Sequence, residues 1–254
     1  PVIQLKNLRK SFYKKPVLHG IDLEISSGQI IGYIGPNGAG KSTTIRILAG
    51  LDGRFDGEVN VLGFDVKKEP LEVKSRIGYI PEAAELYDVL RPAEFYELVA
   101  GLQNMSLDIA AKRAKKLEDY LQLSYSKNQR IDTFSKGMKQ KVLLISGLLH
   151  DPELIFLDEP LAGLDANSVI RVKSLITQFA QRGKTIFYSS HIMEVVEKIS
   201  DRIILLNNGK IVANGTFAEI NRQAQSGNLE NLFAQLTGGA NSTIAGNFDF
   251  TADE

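Results

Sequence analysis

Cysteine is absent from this chain of 254 residues, and so is tryptophan. Without cysteine there is no disulfide framework and no thiolate metal site, a condition that fits a reducing compartment. Net charge is absent as well, since 30 lysines and arginines balance 30 aspartates and glutamates. The broad electrostatic attraction of a nucleic-acid binder is missing, and no nucleic-acid partner is expected. Long apolar runs are missing too. No window approaches about 18 uninterrupted apolar residues, and no basic segment followed by an apolar one opens the chain. Neither a membrane span nor an ordinary secretory signal is expected, so a membrane role would have to come through partner subunits.

What is present is a globular composition, 43% hydrophobic and 24% charged. It can bury a full core, at a length that suggests one large domain or a domain with an insertion. IQLKNL (3–8) and VLHGIDLEI (17–25) alternate apolar and polar positions as half-buried strands do, and GEVNVLG (57–63) reads as another strand. IIGYIG (30–35) is a continuous apolar run, the pattern of a strand buried on both faces. It passes through a glycine-rich turn into KSTTIRILAG, helical until Gly50 offers a stop. IGYIP (77–81) is one more strand.

From about residue 83 to 150 the period becomes helical. RPAEFYELVAGL (91–102), LDIAAKRAKKLEDYLQL (107–123) and KGMKQKVLLISGLLH (136–150) read as three helices of an inserted subdomain. Buried strands then return as ELIFLDE (153–159), TIFYSS (185–190) and RIILLNN (202–208), with helices expected at 167–181 and 191–199 between them. Strands alternating with helices predict an α/β fold whose mostly parallel sheet is covered on both faces. NNGKIVANG (207–215) carries a turn and LENLFAQLT (229–237) a last short helix, while the tail from Gly238 to the end is expected to be mobile. No internal repeat is visible.

Three stretches carry chemistry. Gly35-Pro36-Asn37-Gly38-Ala39-Gly40-Lys41-Ser42 fits the phosphate-loop pattern, between a buried strand and a helix. Glycines let backbone N–H groups face an anion with no Cβ in the way. Lys41 supplies charge to the β- and γ-phosphates, the Ser42 hydroxyl ligates Mg²⁺, and the helix N-terminus points at the same anion. LIFLDE ends a strand in Asp158 and Glu159. Strands often end in acids, but beside a phosphate loop Asp158 can hold the metal through its waters and Glu159 can polarise the attacking water. His191 follows TIFYSS at the carboxyl end of another strand, where ligands bind in open α/β sheets, and is expected to contact the γ-phosphate and the water.

This pattern resembles the ATP-binding subunits of ABC transporters over nearly the whole chain, to about residue 237. The resemblance implies a phosphate-loop ATPase core with an N-terminal antiparallel β subdomain and the inserted helical subdomain (83–150), all within one domain of residues 1–237. FSKGMKQK (134–141) looks like the family's signature loop: Ser135 and Gly137 match, Met138 is a known kind of variant, and Lys136 replaces the first glycine. EPLAGLDA is similar to the loop that passes Asp165 across the dimer, SSH matches the histidine switch, and Phe12 falls where the family stacks an aromatic ring on adenine. ATP, held with Thr43 also at the loop, and Mg²⁺ are the implied ligands.

Further implications are a head-to-tail dimer, homomeric or with a paired ATPase subunit, and an integral membrane permease as partner. Each ATP would meet one chain's phosphate loop and the other's signature, on the inner face of the cell membrane in the cytoplasm. One departure stands out: Glu82 occupies the place of a glutamine that reaches metal and water. Glu82 is either a tuned metal contact or a plain substitution. With the KGM signature and the LENLFAQLT ending, it looks like the branch that serves export permeases. A soluble ATPase of the same class that powers a non-membrane assembly, or one associated with nucleic acid, is the alternative. Neutral charge weighs against the latter. The aromatic stripe in ELYDVLRPAEFYELV allows either core packing or docking of a partner helix.

Overall fold

Ile3, Leu5 and Leu8 are buried on one strand, and Ile21, Leu23 and Ile25 on the next, while most of their neighbours meet solvent. Such alternation lets one face of a sheet cover a core. In the computed structural model, which describes residues 1–82, 86–191, 193–224 and 229–237, these residues lie on β1 (Ile3–Phe12) and β2 (Lys15–Ile25). With β4 (Asp56–Val61) and β5 (Phe64–Asp65) they form an antiparallel sheet ordered β2-β1-β4-β5.

The second sheet comprises β3 (Ile30–Ile34), β6 (Ile77–Ile80), β7 (Leu154–Asp158), β8 (Thr185–Ser189), β9 (Arg202–Asn207) and β10 (Lys210–Gly215). Its order is β10-β9-β3-β8-β7-β6, parallel except for β10 at one edge. Every residue of β3, β7 and β8 is buried, because each face of this sheet is covered. Ile30, Ile34, Ile155, Leu157, Ile186 and Tyr188 point into a core shared with helices. Their alternates Ile31, Tyr33, Leu154, Phe156 and Phe187 join a second core shared with the antiparallel sheet and α1 (Lys41–Leu48).

Between β6 and β7 come α3 (Pro92–Leu102), α4 (Leu107–Leu121) and α5 (Lys136–Leu148). Their buried side chains, among them Phe95, Ala114, Leu121 and Leu144, belong to the same apolar cluster as the first sheet face. The helical block therefore grows out of the main core. α6 (Ala166–Gln181) and α7 (Met193–Ile199) cross between the later strands, and α9 (Leu229–Thr237) packs against α7. Among the described residues no helix is long and apolar enough to cross a membrane.

Five elements were not anticipated: β5, α2 (Pro70–Arg76), a 3₁₀ turn at Ile131–Thr133, β10 and α8 (Phe217–Ala224). β5 has two residues, and α2 has seven with Val73 alone buried, too little for a period to register. β10 does alternate, but between half-buried and exposed positions at a sheet edge, so its hydrophobic signal is faint. The tail expected to be mobile lies outside the described residues.

Candidate nucleotide site

The turn from β3 into α1 is shaped by glycines that no other residue could replace unchanged. Gly40 has φ 108°, and a Cβ there would sit 2.6 Å from the Leu18 side chain. Lys41 folds back into the loop, where its ammonium donates to the carbonyls of Gly35 at 2.8 Å and Pro36 at 3.3 Å. Among the described residues no carboxylate pairs with this nearly buried lysine, an arrangement that suits a polyanion. No acidic residue enters the first turn of α1, so its unpaired N–H groups add to that field.

β7 and β8 pair in parallel with Asp158 level with Ser189. The Ser189 hydroxyl donates to Asp158 Oδ1 at 2.6 Å, and the Glu159 N–H meets both the Ser189 carbonyl and its Oγ at 3.2 Å. Glu159 takes φ 49°, a left-handed conformation that costs a side-chain-bearing residue about 1–2 kcal/mol. Its carboxylate Oε2 lies 2.8 Å from His191 Nδ1 and 3.4 Å from the His191 N–H. Glu159 is thus gripped twice from the end of β8, at its N–H by Ser189 and at its carboxylate by His191.

A single cleft of about 1120 Å³ gathers Phe12, Asn37, Gly38, Gly40, Lys41, Ser42, Thr43, Glu82, Asp158, Glu159 and His191. Residues from both ends of the domain, Phe12 and His191 among them, are thereby brought together. Gly35 and Ala39 are buried and Pro36 half-buried, so these three shape the loop. Lys15, Pro16, Val17, His19, Asn208 and Gly209 also line the cleft and were not singled out from the sequence. The NNG turn was the available signal. Gly209 donates to Ala39 O at 3.1 Å and accepts from His19 N at 3.0 Å, clamping the phosphate loop to β2. A Cβ at Gly209 would lie 2.1 Å from the Val17 carbonyl. Ser189 was missed as well, because strand pairing, not its own neighbours, gives it a role.

The residues fit Mg²⁺. The candidate donors, the Ser42 hydroxyl and the Asp158 and Glu82 carboxylates, are all oxygen, as a hard cation requires. Among the described residues no cluster of three or more His, Cys, Asp or Glu could hold a metal by itself. That agrees with an ion that keeps several waters and takes the rest of its shell from phosphates. Asp158 is 3% exposed, and a carboxylate so buried calls for a positive partner.

The signature residues stand apart from this cleft. Ser135 caps α5, its Oγ accepting from the Met138 N–H at 3.2 Å. A Cβ on Gly137 would come within 3.0 Å of the Gly163 carbonyl, and the Lys136 stem lies against Gly163 itself. Asp165 caps α6, accepting from the Ser168 N–H at 3.0 Å and the Ser168 hydroxyl at 2.6 Å. Those two hydrogen bonds hold its carboxyl below the usual carboxylate range. Gln140 of α5 donates to Pro160 O at 3.3 Å, tying the signature helix to the loop that follows Glu159.

Residues 18–162, more than half of the chain, match the family model described as ABC transporter. The chain belongs to the ABC transporter ATP-binding family. This ABC ATPase is 35% identical over 219 residues to the linearmycin resistance ATP-binding protein LnrL of Bacillus subtilis (strain 168), covering 86% of this chain and 70% of that one. It is 33% identical over 218 residues to the daunorubicin/doxorubicin resistance ATP-binding protein DrrA of Streptomyces peucetius, covering 86% and 66%. A solved ATP-binding subunit of an ABC transporter superposes with a TM-score of 0.87 at 30% identity, over 93% of this chain and 99% of that one. A dimeric ATP-binding cassette in a post-hydrolysis state with ADP and Pi gives 0.78 at 25% identity, over 84% and 98%. The chain is an ATP-binding, ATP-hydrolysing cassette of an ABC transporter, in a family whose cassettes dimerise.

Proposed function

We propose that two such chains, or this chain and a paired ATPase subunit, meet head to tail, and that closing the dimer on ATP drives a separate membrane permease in export. One observation carries this reading. The cleft of one chain collects every motif residue that would touch ATP except Ser135, Lys136, Gly137 and Met138, which sit at the positive end of α5 facing no phosphate loop of their own. A second chain is the natural source of that contact. The dimeric cassette with ADP and Pi and the resistance functions named for two relatives support dimer and direction. In this reading residues 1–237 are one ABC ATPase domain with the helical subdomain 83–150 inserted, working in the cytoplasm at the inner face of the cell membrane.

Within each composite site Phe12 stacks the adenine, and the loop from Gly35 to Thr43 with Lys41 cradles the phosphates. Ser42, Asp158 and Glu82 would hold Mg²⁺, which would supply charge neutralisation to the triphosphate. Glu159 accepts the proton of the attacking water, His191 keeps its carboxylate in place, and Asp165 meets the partner. The test is Glu159→Gln, which keeps the shape but removes the base. Hydrolysis should fall at least about a hundredfold, since general-base help is worth about 10²–10⁴. ATP should still bind and should convert the protein to a dimer by light scattering. Near-normal turnover, or an ATP-loaded monomer, would contradict the proposal.

A further inference from the structure

Lys10 is 3% exposed, a rare state for a lysine outside an active site, and it lies on β1 two residues before Phe12. Its ammonium pairs with Asp52 Oδ2 at 2.6 Å, donates to the Arg54 carbonyl at 2.5 Å and stands 4.6 Å from the centroid of the Phe12 ring. Asp52 is itself fixed, because Oδ1 accepts the Arg54 N–H at 2.9 Å. Burial pushes the Asp52 carboxyl up, but the hydrogen bonds from Lys10 and Arg54 and the two cations outweigh it and hold it below the usual range. Phe12, in contrast, is 43% exposed and lines the nucleotide cleft.

We infer that Lys10, clamped by Asp52 and the Arg54 carbonyl, is a positioning residue for the adenine platform, setting base affinity through Phe12 without touching the nucleotide. The inference rests on Phe12 stacking the base, as proposed above. Its physics has two parts. A buried cation beside the ring is attracted to the ring quadrupole and holds an exposed phenylalanine in one orientation, so the base pays less for ordering it. The same cation draws ring electron density toward itself, leaving the ring poorer in electrons for stacking on an electron-rich purine. The clamp also couples two halves of the site. Asp52 and Arg54 follow α1, the helix that begins at Lys41, so the loop leaving the phosphate helix grips the strand that carries the base platform.

The experiment measures binding of ATP and of inorganic tripolyphosphate, which has no base, by calorimetry with Mg²⁺. In Lys10→Met, ATP affinity should fall about three- to tenfold, the range of a partly desolvated cation–π contact, with tripolyphosphate changed less than about twofold. KM for ATP should rise while kcat stays near the parent value. Phe12→Ala should show the same base-only loss, and adding Lys10→Met to it should cost little more, because both act through one ring. If lone Asp52 unfolds the Lys10→Met protein, Lys10→Met/Asp52→Leu removes both charges and should show the same selectivity. Equal losses for ATP and tripolyphosphate, no loss, or full additivity with Phe12→Ala would overturn the role of Lys10 while leaving the stacking reading intact. If Phe12→Ala bound ATP as the parent does, the stacking reading would fall first, and this inference with it.

Discussion

Glu82 puts a third carboxylate into a cleft that already holds Asp158 and Glu159. Without a cation three such groups would repel a triphosphate, so Mg²⁺ must offset the added charge. In the proposed site Glu82 is a metal contact tuned by charge, not an acid or base. Glu82→Gln should then leave ATP hydrolysis within about tenfold of the parent, a barrier change of about 1.4 kcal/mol. Steady-state turnover with saturating Mg²⁺ checks this, and abolished activity would make Glu82 an essential proton carrier. At this scale most of the site was legible beforehand, because the phosphate loop, the Asp158-Glu159 pair and His191 lie at strand ends whose spacing is read directly. Ser189 and Lys10 were not. Ser189 gains its role only when β8 pairs with β7, and Lys10 only when residues 52–54 fold back over β1.

Helices and strands with a strong period were legible in the same way. The apolar runs of β3, β7 and β8 and the long α4 and α6 registered, whereas short or edge elements such as α2 and β10 did not. What a period cannot show is a polar group turned inward. Glu118, on α4, is 9% exposed, accepts the Tyr125 hydroxyl, and belongs to a helix whose other buried positions are apolar. Burial pushes its carboxyl above the usual range despite that hydrogen bond and the nearby Lys115. The sign follows from linkage. A folded-state pKa above the unfolded value favours folding at pH below the unfolded value and loses that contribution as pH rises through the folded one. Glu118→Gln cannot ionise. Relative to the parent, its unfolding midpoint in urea should therefore improve as pH rises from about 4, near the unperturbed glutamate value, to neutrality. A pH-independent difference between the two proteins would show that Glu118 keeps an ordinary pKa.

At the scale of the whole molecule, the helical block and the sheet share one apolar cluster, while the signature helix is tied by Gln140 to the loop after Glu159. The two halves of the chemistry thus share one connected core, and in the proposed dimer they would serve different nucleotides. If the chain serves a permease, it should co-purify from detergent-solubilised membranes with a multi-span protein, and purely soluble partners would favour a non-membrane assembly. The claim beneath that is the shared site, and complementation tests it most directly. Lys41→Ala spoils the phosphate loop and Ser135→Arg blocks the signature, so either variant alone builds two damaged sites. In a mixed dimer both lesions fall in one site and the other is whole. These 254 residues contain no cysteine, so a single introduced thiol in each variant reports contact cleanly. ATP-dependent disulfide cross-linking should be restored in the one-to-one mixture, with some hydrolysis beside it. If confirmed mixed dimers cross-link no more with ATP than either variant alone, Ser135 does not act on the partner's nucleotide.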